Sequence, residues 1–452
     1  MKTVNTNIQN NELYIGNHSL KELAMKYKTP LMVYDEEGIK SKIKLIKDSF
    51  SSKKLKTKII YASKAFIAPY FANILKEEDL CVDATSVSDF RLLEKVGFPM
   101  ERVFFQGNNK TEEELKLALN LKINAFIVDS FSELKLIEKL AKAKVDTYFR
   151  INPYVKVDSH KHIQTANLDS KFGEGIDDVV WDKIIEFYNN AKHVVLKGLQ
   201  VHLGSQIKEL DPYLEAIDKI SNFKTKLEQK LKYKIKAFDL GGGFGVKYLE
   251  SDSEFPLKEG LKKIIKRLEK TDFEIVAIEP GRSIVGREGV TIYQCLKLKQ
   301  SKYYNYCLVD GGMADNIRPA LYDAKYSFDC VNNVISKSKE KYQVVGKFCE
   351  SGDILGKDII LSKLKENDYI VTYTTGAYCY AMSSNYNGAL RPAVLFVSDK
   401  GVKEAIRRET VEDYLAVFNF KGEKWWKYLI FIVIYYMTYL EEKVIIDLKI
   451  FM

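Results

Sequence analysis

Residues 58–67, Lys58-Ile-Ile-Tyr-Ala-Ser-Lys64-Ala-Phe-Ile67, form the stretch from which we predict the fold. The apolar and aromatic run is typical of a short buried strand, and this strand ends on a lysine. A lysine is seldom buried without a partner, because removing an ammonium group from water costs free energy. At the edge of a cleft, Lys64 can act as an amine nucleophile that forms a Schiff base with an aldehyde cofactor. The alternative is that Lys64 only marks the end of the strand and extends to water.

After this strand, further predicted strands alternate regularly with predicted helices. Short apolar runs alternate with amphipathic stretches of helical length, and capping boxes at Thr111-x-x-Glu114 and Ser130-x-x-Glu133 mark two helix starts. Strands separated by helices over about 250 residues predict a (β/α)8 barrel of the TIM type, with a doubly wound sheet as the alternative. The predicted strands are Ile59–Ala62, Leu80–Ala84, Val103–Gln106, Ala125–Val128, Thr147–Ile151, Gly198–His202, Ala237–Leu240 and Ile275–Glu279.

The alternation stops near Gly289, and strand-like segments follow with few helical periods between them. This change predicts a mainly β C-terminal domain after the barrel. We assign residues 36–287 to the barrel, residues 1–35 and 288–420 to the β domain, and residues 421–452 to an atypical apolar tail. The strand-like segments are Val290–Lys299, Tyr306–Val309, Tyr342–Cys349, Tyr369–Thr374 and Ala393–Val397.

The apolar run Tyr428–Leu440 in the tail is shorter than the roughly 20 residues of a comfortable membrane span. It is consistent with an interfacial helix, a hydrophobic contact or an aberrant end. We favour the aberrant end, because the composition does not continue that of the preceding domain. We therefore expect no clear membrane span and, since residues 1–11 are polar and lack an apolar run, no secretory signal.

Composition excludes several function classes. The net charge of +9 comes from dispersed lysines without an arginine-rich stripe or interleaved aromatic residues, so we expect no nucleic-acid partner. The six cysteines form no C-x-x-C pair, which argues against a zinc site and a disulfide framework and is typical of a reducing compartment. The pair His160 and His162 lacks companion ligands and is interpreted as part of a polar loop, so no metal is expected. A cytoplasmic location is predicted.

Chemically distinctive residues follow the predicted strands at their carboxyl ends, which is where barrel enzymes carry their active sites. Each residue alone is weak support, and their joint placement is much stronger. These residues are Lys64, Asp83 and Ser86, Arg150, the segment His202-Leu-Gly-Ser205, the segment Asp239-Leu-Gly-Gly-Gly-Phe-Gly245 and the segment Glu279-Pro-Gly-Arg282.

The glycine run Gly241–Gly243 can expose backbone N–H groups to a phosphate, although a tight turn would use the same residues. It does not match the dinucleotide-binding fingerprint, because Val246 stands where that pattern has glycine, and no Walker pattern is present. Barrels commonly bind phosphate with the loops after strands seven and eight. A lysine that forms a Schiff base beside a phosphate site indicates pyridoxal 5′-phosphate (PLP).

Two further residues acquire roles if PLP is the cofactor. A carboxylate at Glu279 can keep the pyridine nitrogen protonated and so strengthen the ring as an electron sink. The alternative for Glu279 is a surface pair with Arg282. His202 can stack on the ring, and its alternative is a histidine of the core with its hydrogen bonds satisfied.

The chain resembles the diaminopimelate decarboxylases, which belong to the barrel-type PLP decarboxylases together with ornithine and arginine decarboxylases. The resemblance covers about residues 12–418. It rests on the segments Tyr61-Ala-Ser-Lys64, Gly107-Asn-Asn-Lys110, Ser170-Lys-Phe-Gly173, His202-Leu-Gly-Ser-Gln206, Gly241-Gly-Gly243, Glu279-Pro-Gly-Arg282, Arg318-Pro-Ala-Leu-Tyr322, Cys349-Glu-Ser-Gly-Asp353 and Gly376-Ala-Tyr378.

The resemblance implies decarboxylation of meso-2,6-diaminopimelate to L-lysine and CO2, the last step of lysine biosynthesis. It implies that Lys64 carries the cofactor and that Cys349 is the acid that reprotonates the α-carbon. In the family, Cys349 and Glu350 reach the cofactor of the partner subunit, so a homodimer with shared active sites is implied. The implied cofactor-binding residues are Lys64, His202, Ser205, Gly242, Gly243, Glu279, Gly281, Arg282 and Tyr378. The implied substrate-binding residues are Arg282, Arg318, Tyr322, Glu350 and Tyr378.

The substrate distinguishes this family from its relatives. Diaminopimelate has a distal carboxylate and a distal ammonium group, and Arg318 and Glu350 offer the matching cation and anion. Ornithine-type enzymes have Cys-Asp at the position of Cys349 and Glu350, and they lack the Arg-Pro-x-Leu-Tyr segment. An ornithine, arginine or carboxynorspermidine-type decarboxylase remains the alternative enzyme, and a catalytically silent regulatory paralogue is the alternative outside catalysis.

The chain also departs from the family pattern. Val87 and Ser88 replace the usual glycine pair, and Thr165-Ala166 stands where Thr-Gly is usual. The tail after Phe420 has no counterpart in the family. The two substitutions affect loop geometry and leave the chemical residues intact.

Overall fold

The computed structural model describes residues 2–157, 170–177 and 179–420. Strands and helices are numbered below in chain order. The N-terminal elements are β1 (Thr6–Gln9), β2 (Glu12–Ile15), β3 (His18–Ser19), α1 (Leu20–Tyr27), β4 (Leu31–Asp35) and α2 (Glu36–Ser49).

Eight parallel strands close into a barrel, so the predicted fold class is confirmed and the doubly wound alternative is wrong. Strand β9 pairs with both β8 and β11, and β13 pairs with β5, which completes the ring. The barrel elements are β5 (Lys56–Ala62), α3 (Pro69–Glu77), β6 (Cys81–Ala84), α4 (Val87–Lys95), β7 (Val103–Phe105), α5 (Glu112–Leu121), β8 (Ala125–Val128), α6 (Phe131–Leu140), β9 (Val145–Asn152), α7 (Trp181–Asn190), β11 (Val194–Gln200), α8 (Asp211–Glu228), β12 (Ala237–Asp239), α9 (Leu257–Leu268), β13 (Ile275–Ile278) and α10 (Arg282–Val285); the short β10 (Glu174–Gly175) extends the sheet beside β9.

Side chains fill the interior of the barrel on the side of the strand N-termini. The buried cluster there includes Ile60, Phe104, Ile127 and Tyr148. Gly198 makes room for the largest of them, because a Cβ atom at this position would lie 2.6 Å from the Tyr148 ring. The interior is therefore packed around Tyr148, and a cavity lined by residues that follow the strands lies at their carboxyl-terminal ends.

The C-terminal segment is rich in strands, as predicted. The strand order is β18-β17-β15-β14-β4-β20-β21, with β19 paired to β14 and to β16. The N-terminal strand β4 lies inside this sheet between β14 and β20. The elements are β14 (Gly289–Gln300), β15 (Asn305–Val309), α11 (Arg318–Tyr322), β16 (Phe328–Cys330), β17 (Lys339–Val345), β18 (Ile354–Ser362), β19 (Tyr369–Thr372), β20 (Ala393–Ser398) and β21 (Gly401–Ile406). The domain boundaries at residues 35 and 287 remain predictions.

Two local expectations need correction. The strand predicted for Tyr342–Cys349 ends at Val345, because the chain turns after Gly346 toward Asp353, whose backbone it contacts through a hydrogen bond of 3.0 Å. The capping box at Thr111 forms fully, whereas Ser130 forms only half of one. Glu133 accepts hydrogen bonds from the buried Lys110 ammonium at 2.6 Å and from the Asp129 N–H at 3.4 Å, and within the described residues none joins it to the Ser130 N–H.

Residues 2–408 lie in one compact unit, and residues 409–420 belong to a second, which contains the helix α12 (Val411–Leu415). No helix within the described residues is long and apolar enough to cross a membrane. The predictions for the tail 421–452, for His160 and His162, and for Thr165-Ala166 fall outside the described residues.

Candidate active site

Lys64 lies in a turn directly after β5, and its side chain is exposed while Ser63 and Ala65 are buried. Both neighbours are held through their backbone. The Ser63 N–H donates to Asp83 Oδ1 at 2.8 Å, and the Ala65 carbonyl accepts from the Tyr378 N–H at 2.8 Å. These contacts fix the backbone of Lys64 and leave the amine free to reach a ligand.

A cavity at the carboxyl ends of the strands brings most of the predicted cofactor residues together. It is lined by Lys64, His202, Ser205, Gly243, Glu279, Gly281, Arg282 and Tyr378, together with Ala62, Phe244 and Ser283. Strand β5 and the loops after β11, β12 and β13 supply most of these side chains, as the strand-end pattern predicts.

The glycine run packs so closely against neighbouring backbone that no side chain fits at two of its positions. A Cβ atom at Gly243 would lie 2.2 Å from the Gly204 carbonyl oxygen, and one at Gly242 would lie 2.1 Å from the Glu279 carbonyl oxygen. Arg282 Nε and Ser283 Oγ are buried without a hydrogen-bond partner among the described residues. Glycine backbone in close approach and unused donors fit a phosphate group, so the residues present match a phosphate-bearing cofactor.

Tyr378 stands between two arginines. The Arg282 guanidinium lies 4.6 Å from the centre of the Tyr378 ring, and the Arg318 guanidinium lies 5.6 Å from it. Arg282 also donates to Ser205 Oγ at 3.2 Å and to Tyr248 Oη. The two cations therefore lie on a shared aromatic side chain, which favours their desolvation through cation–π attraction.

Arg318 begins the short helix α11 and is buried. Its Nε donates to Tyr326 Oη at 2.9 Å, and its guanidinium lies 5.2 Å from the centre of the Tyr322 ring. Since Tyr378 also contacts Arg282, the predicted substrate residues Arg318 and Tyr322 are connected to the cofactor cavity.

Glu279 follows β13 and is buried. Its carboxylate accepts a hydrogen bond from Gln106 Nε2 and two from Gln200 Nε2, at 3.3 Å each. The alternative of a surface pair with Arg282 is wrong, because the residue is buried and its hydrogen bonds go to two glutamines.

Two further carboxyl groups lie in the barrel beside Glu279. Burial and then the charge of Glu279 raise the pKa of Asp83 to about 8, although Lys64 and the Ser63 N–H oppose this. Burial and the charge of Glu279 also raise the pKa of Asp239 well above its ordinary value. The three neighbouring carboxyl groups therefore carry fewer than three negative charges at neutral pH.

The surroundings of His202 favour its neutral imidazole form. Burial, and then the nearby charges of Lys64 and Arg150, lower the pKa of His202 well below its ordinary value. Its Nδ1 accepts from the Gly242 N–H at 3.4 Å. A neutral imidazole next to the cavity suits stacking on a ring better than an ion would, because it requires less desolvation.

Cys349 and Glu350 do not line the cavity around Lys64 within the described part of the chain. Both are exposed, and Glu350 Oε2 accepts from Tyr386 Oη at 3.2 Å. Asp353 shapes their loop by accepting from the Phe348 N–H at 2.9 Å and the Met313 N–H at 2.7 Å. Hydrogen bonds from Asp353 therefore hold the loop, and its Cys349 and Glu350 side chains are exposed.

Sequence reasoning missed Gln106, Gln200, Tyr248 and Tyr326 as site residues. Gln106 and Gln200 follow or end strands β7 and β11, so the strand-end rule that found Lys64 applied to them as well. Tyr248 and Tyr326 lie in loops, and no sequence pattern indicated that they reach the arginines.

Comparison with known proteins gives a consistent result. Residues 36–286 match the family model described as pyridoxal-dependent decarboxylase, pyridoxal binding domain. The diaminopimelate decarboxylase of Staphylococcus aureus (strain COL) is 39% identical over 90% of this chain and 97% of its own length. The diaminopimelate decarboxylase of Bacillus subtilis (strain 168) is 39% identical over 90% and 94%. The crystal structure of diaminopimelate decarboxylase from M. jannaschii in complex with L-lysine superposes with a TM-score of 0.87 at 30% identity, covering 92% of this chain and 98% of that one.

The pKa of Asp83 predicts how the stability of the cofactor-free protein depends on pH. Because the folded pKa of about 8 exceeds the ordinary value of 3.8, Asp83 keeps its proton in the folded chain while the unfolded chain loses it. The stability this group contributes is full below about pH 4 and is lost as pH rises through about 8. Asp83→Asn retains an acceptor for the Ser63 N–H and does not titrate.

We therefore expect the wild type to lose stability relative to Asp83→Asn between pH 5 and 9, as measured by urea unfolding at each pH. Parallel stability curves for the two proteins would contradict this assignment of the proton.

Proposed function

This chain belongs to the diaminopimelate decarboxylases, a family of pyridoxal-dependent decarboxylases, and we propose that it binds PLP at Lys64 and converts meso-2,6-diaminopimelate to L-lysine and CO2. The observation that carries the proposal is the convergence of Lys64, His202, Glu279 and Arg282 on one cavity. An amine, a flat neutral ring, a carboxylate and a cation in one cavity support the binding of such a cofactor.

When bound, PLP supplies the electron sink that accepts the electron pair left by departing CO2. The chain contributes binding and charge. Lys64 anchors the cofactor, the loops of Gly243 and Gly281 hold its phosphate with Ser205 and Tyr378 nearby, and His202 lies against the ring. The Glu279 carboxylate holds a proton at the pyridine nitrogen, where negative charge develops.

Residues outside this cavity lining, Arg318, Tyr322 and the exposed Glu350, account for substrate choice in the proposal. Arg318 offers its guanidinium to the distal carboxylate, supported by Tyr322, and Arg282 adds a second cation near the cofactor. Glu350 offers its carboxylate to the distal ammonium. An ornithine-type substrate lacks the distal carboxylate and would leave Arg318 buried without an anion, which costs free energy. The Arg318 environment therefore favours diaminopimelate.

The exposed loop of Cys349 and Glu350 supports a homodimer with shared active sites. We propose that Cys349 Sγ delivers the proton to the α-carbon in the partner subunit's site, since the residue is exposed and does not line the described cavity around Lys64 of its own chain.

The six cysteines of the chain are all free thiols, which supports a reducing compartment such as the cytoplasm.

Replacing Lys64 with Ala tests the central assignment. We expect kcat for CO2 release from meso-diaminopimelate to fall by about 1,000-fold or more, the scale seen when a covalent catalyst is removed. The visible absorbance of the bound cofactor should also change, and borohydride should no longer fix the cofactor to the chain. Lys56→Ala is a matched control, because this exposed lysine lies at the other end of the same strand. Retained activity in Lys64→Ala would refute the proposal.

Replacing Arg318 with Met should act mainly on KM. Loss of one charge-assisted contact to the distal carboxylate weakens substrate binding in ground and transition states alike, so we expect KM to rise about tenfold or more with a smaller change in kcat. Lys325→Met, which removes an exposed cation nearby, should leave KM unchanged. A fall in kcat at constant KM, or preferred release of CO2 from ornithine or arginine, would contradict the assignment.

Shared sites predict complementation between inactive variants. Lys64→Ala and Cys349→Ala each damage both sites of a homodimer, whereas a mixed dimer retains one intact site. After subunit exchange in an equal mixture, we expect about a quarter of wild-type activity to return. Activity no higher than that of the separate variants would show that each site uses its own Cys349.

A further inference from the structure

The barrel places a carboxyl group directly beside Glu279. In the register of strands β11, β12 and β13, Gln200 is opposite Asp239, and Asp239 is opposite Ala277, two residues before Glu279. Side chains two residues apart on a strand share a face, so all three polar side chains point into the barrel. Asp239 is completely buried.

The two oxygens of Asp239 have different surroundings. Oδ1 accepts from the Gly241 N–H at 2.9 Å. Oδ2 is buried, and no donor among the described residues forms a hydrogen bond with it. The Glu279 carboxyl lies within hydrogen-bonding reach of the Asp239 side chain. Two ionised carboxylates in this arrangement would repel each other in a medium that screens charge poorly, and one shared proton converts the repulsion into a hydrogen bond.

The surrounding charges indicate which of the two carries the proton. Glu279 accepts N–H donors from both Gln106 and Gln200, and these donors stabilise an anion. Asp239 has only the Gly241 N–H, and burial followed by the charge of Glu279 raises its pKa well above the ordinary value.

The other titratable groups around the pair include Asp83, Lys64, Arg150, Cys81 and Tyr148. The charge of Asp83 raises the pKa of Asp239 further. Burial lowers the pKa of Arg150, and the charges of Asp129 and then Glu279 oppose this. The two N–H donors at Glu279 and the raised pKa of Asp239 therefore assign the proton to Asp239.

We infer that Asp239 is a positioning residue that remains protonated and donates its carboxyl O–H to Glu279, completing a three-donor cradle with Gln106 and Gln200. The cradle fixes the orientation of the Glu279 carboxylate and leaves its remaining lone pair directed to the open cavity. This inference deepens the proposed function. The effect of Asp239 on the pyridine nitrogen rests on that function, because it requires bound PLP. The location of the proton does not depend on the reaction.

Two substitutions at Asp239 separate a neutral donor from an anion. Asp239→Asn keeps an acceptor for the Gly241 N–H and an N–H donor toward Glu279, whereas Asp239→Leu has similar volume and neither group. We expect kcat of the Asn holoenzyme to stay within about threefold of wild type and that of the Leu holoenzyme to fall more than about tenfold. If Asp239 worked as an anion, the Asn variant would be damaged as severely as the Leu variant.

Infrared spectroscopy of the full-length protein, with and without PLP, tests the proton directly. A protonated carboxyl has a C=O stretch separate from that of a carboxylate. Because the pKa of Asp83 is also raised, the comparison uses Asp83→Asn as background and subtracts the spectrum of Asp83→Asn/Asp239→Asn. We expect one protonated-carboxyl band in this difference at pH 7 that shifts when aspartate is labelled with 13C in its carboxyl group.

Absence of that band, or an Asn variant as damaged as the Leu variant, would overturn the inference. The Asn variant and the band keep the test decisive even if Asp239→Leu fails to fold. Failure of the proposed function is a different result, since the band would persist in a protein that released no CO2 from meso-diaminopimelate.

Discussion

The hydrogen bonds that close the barrel are the constraint on which the site depends. Strand β9 pairs with β8 on one side and with β11 on the other, and β13 returns to β5. A closed parallel ring makes all eight strands end on one face, so residues more than 200 positions apart, such as Lys64 and Glu279, come within one cavity. An open sheet with the same strands would have spread these residues along an edge.

The loop around Gly376 joins the C-terminal sheet to this ring. Tyr34 Oη donates to the Gly376 carbonyl at 2.8 Å, and a Cβ atom at Gly376 would lie 1.9 Å from the Val285 carbonyl oxygen. The close approach sets the position of Tyr378, whose N–H binds the Ala65 carbonyl at 2.8 Å. The Tyr378 ring, which contacts both arginines, is therefore held by a hydrogen bond to the backbone next to Lys64.

Burial limits how many carboxyl groups inside the barrel can be ionised together. Three carboxyls, Asp83, Asp239 and Glu279, share an interior that stabilises few charges, so burial and mutual repulsion raise the pKa values of the first two. Gln106 and Gln200 direct their donors to the third. The proposed role of Glu279 toward a ring nitrogen depends on this set of donors.

The sequence by itself determined the order of strands and helices and the residues at the strand ends. Periodicity and strand-end position were enough to find the eight strands, Lys64 and Glu279, because both signals are local. Only the tertiary structure decided which donors reach Glu279, that Glu133 binds Lys110 and does not complete a capping box, and that Tyr378 lies between Arg282 and Arg318. These contacts join residues far apart in the chain, and their existence depends on register and ring closure. Short-range sequence patterns do not contain that information.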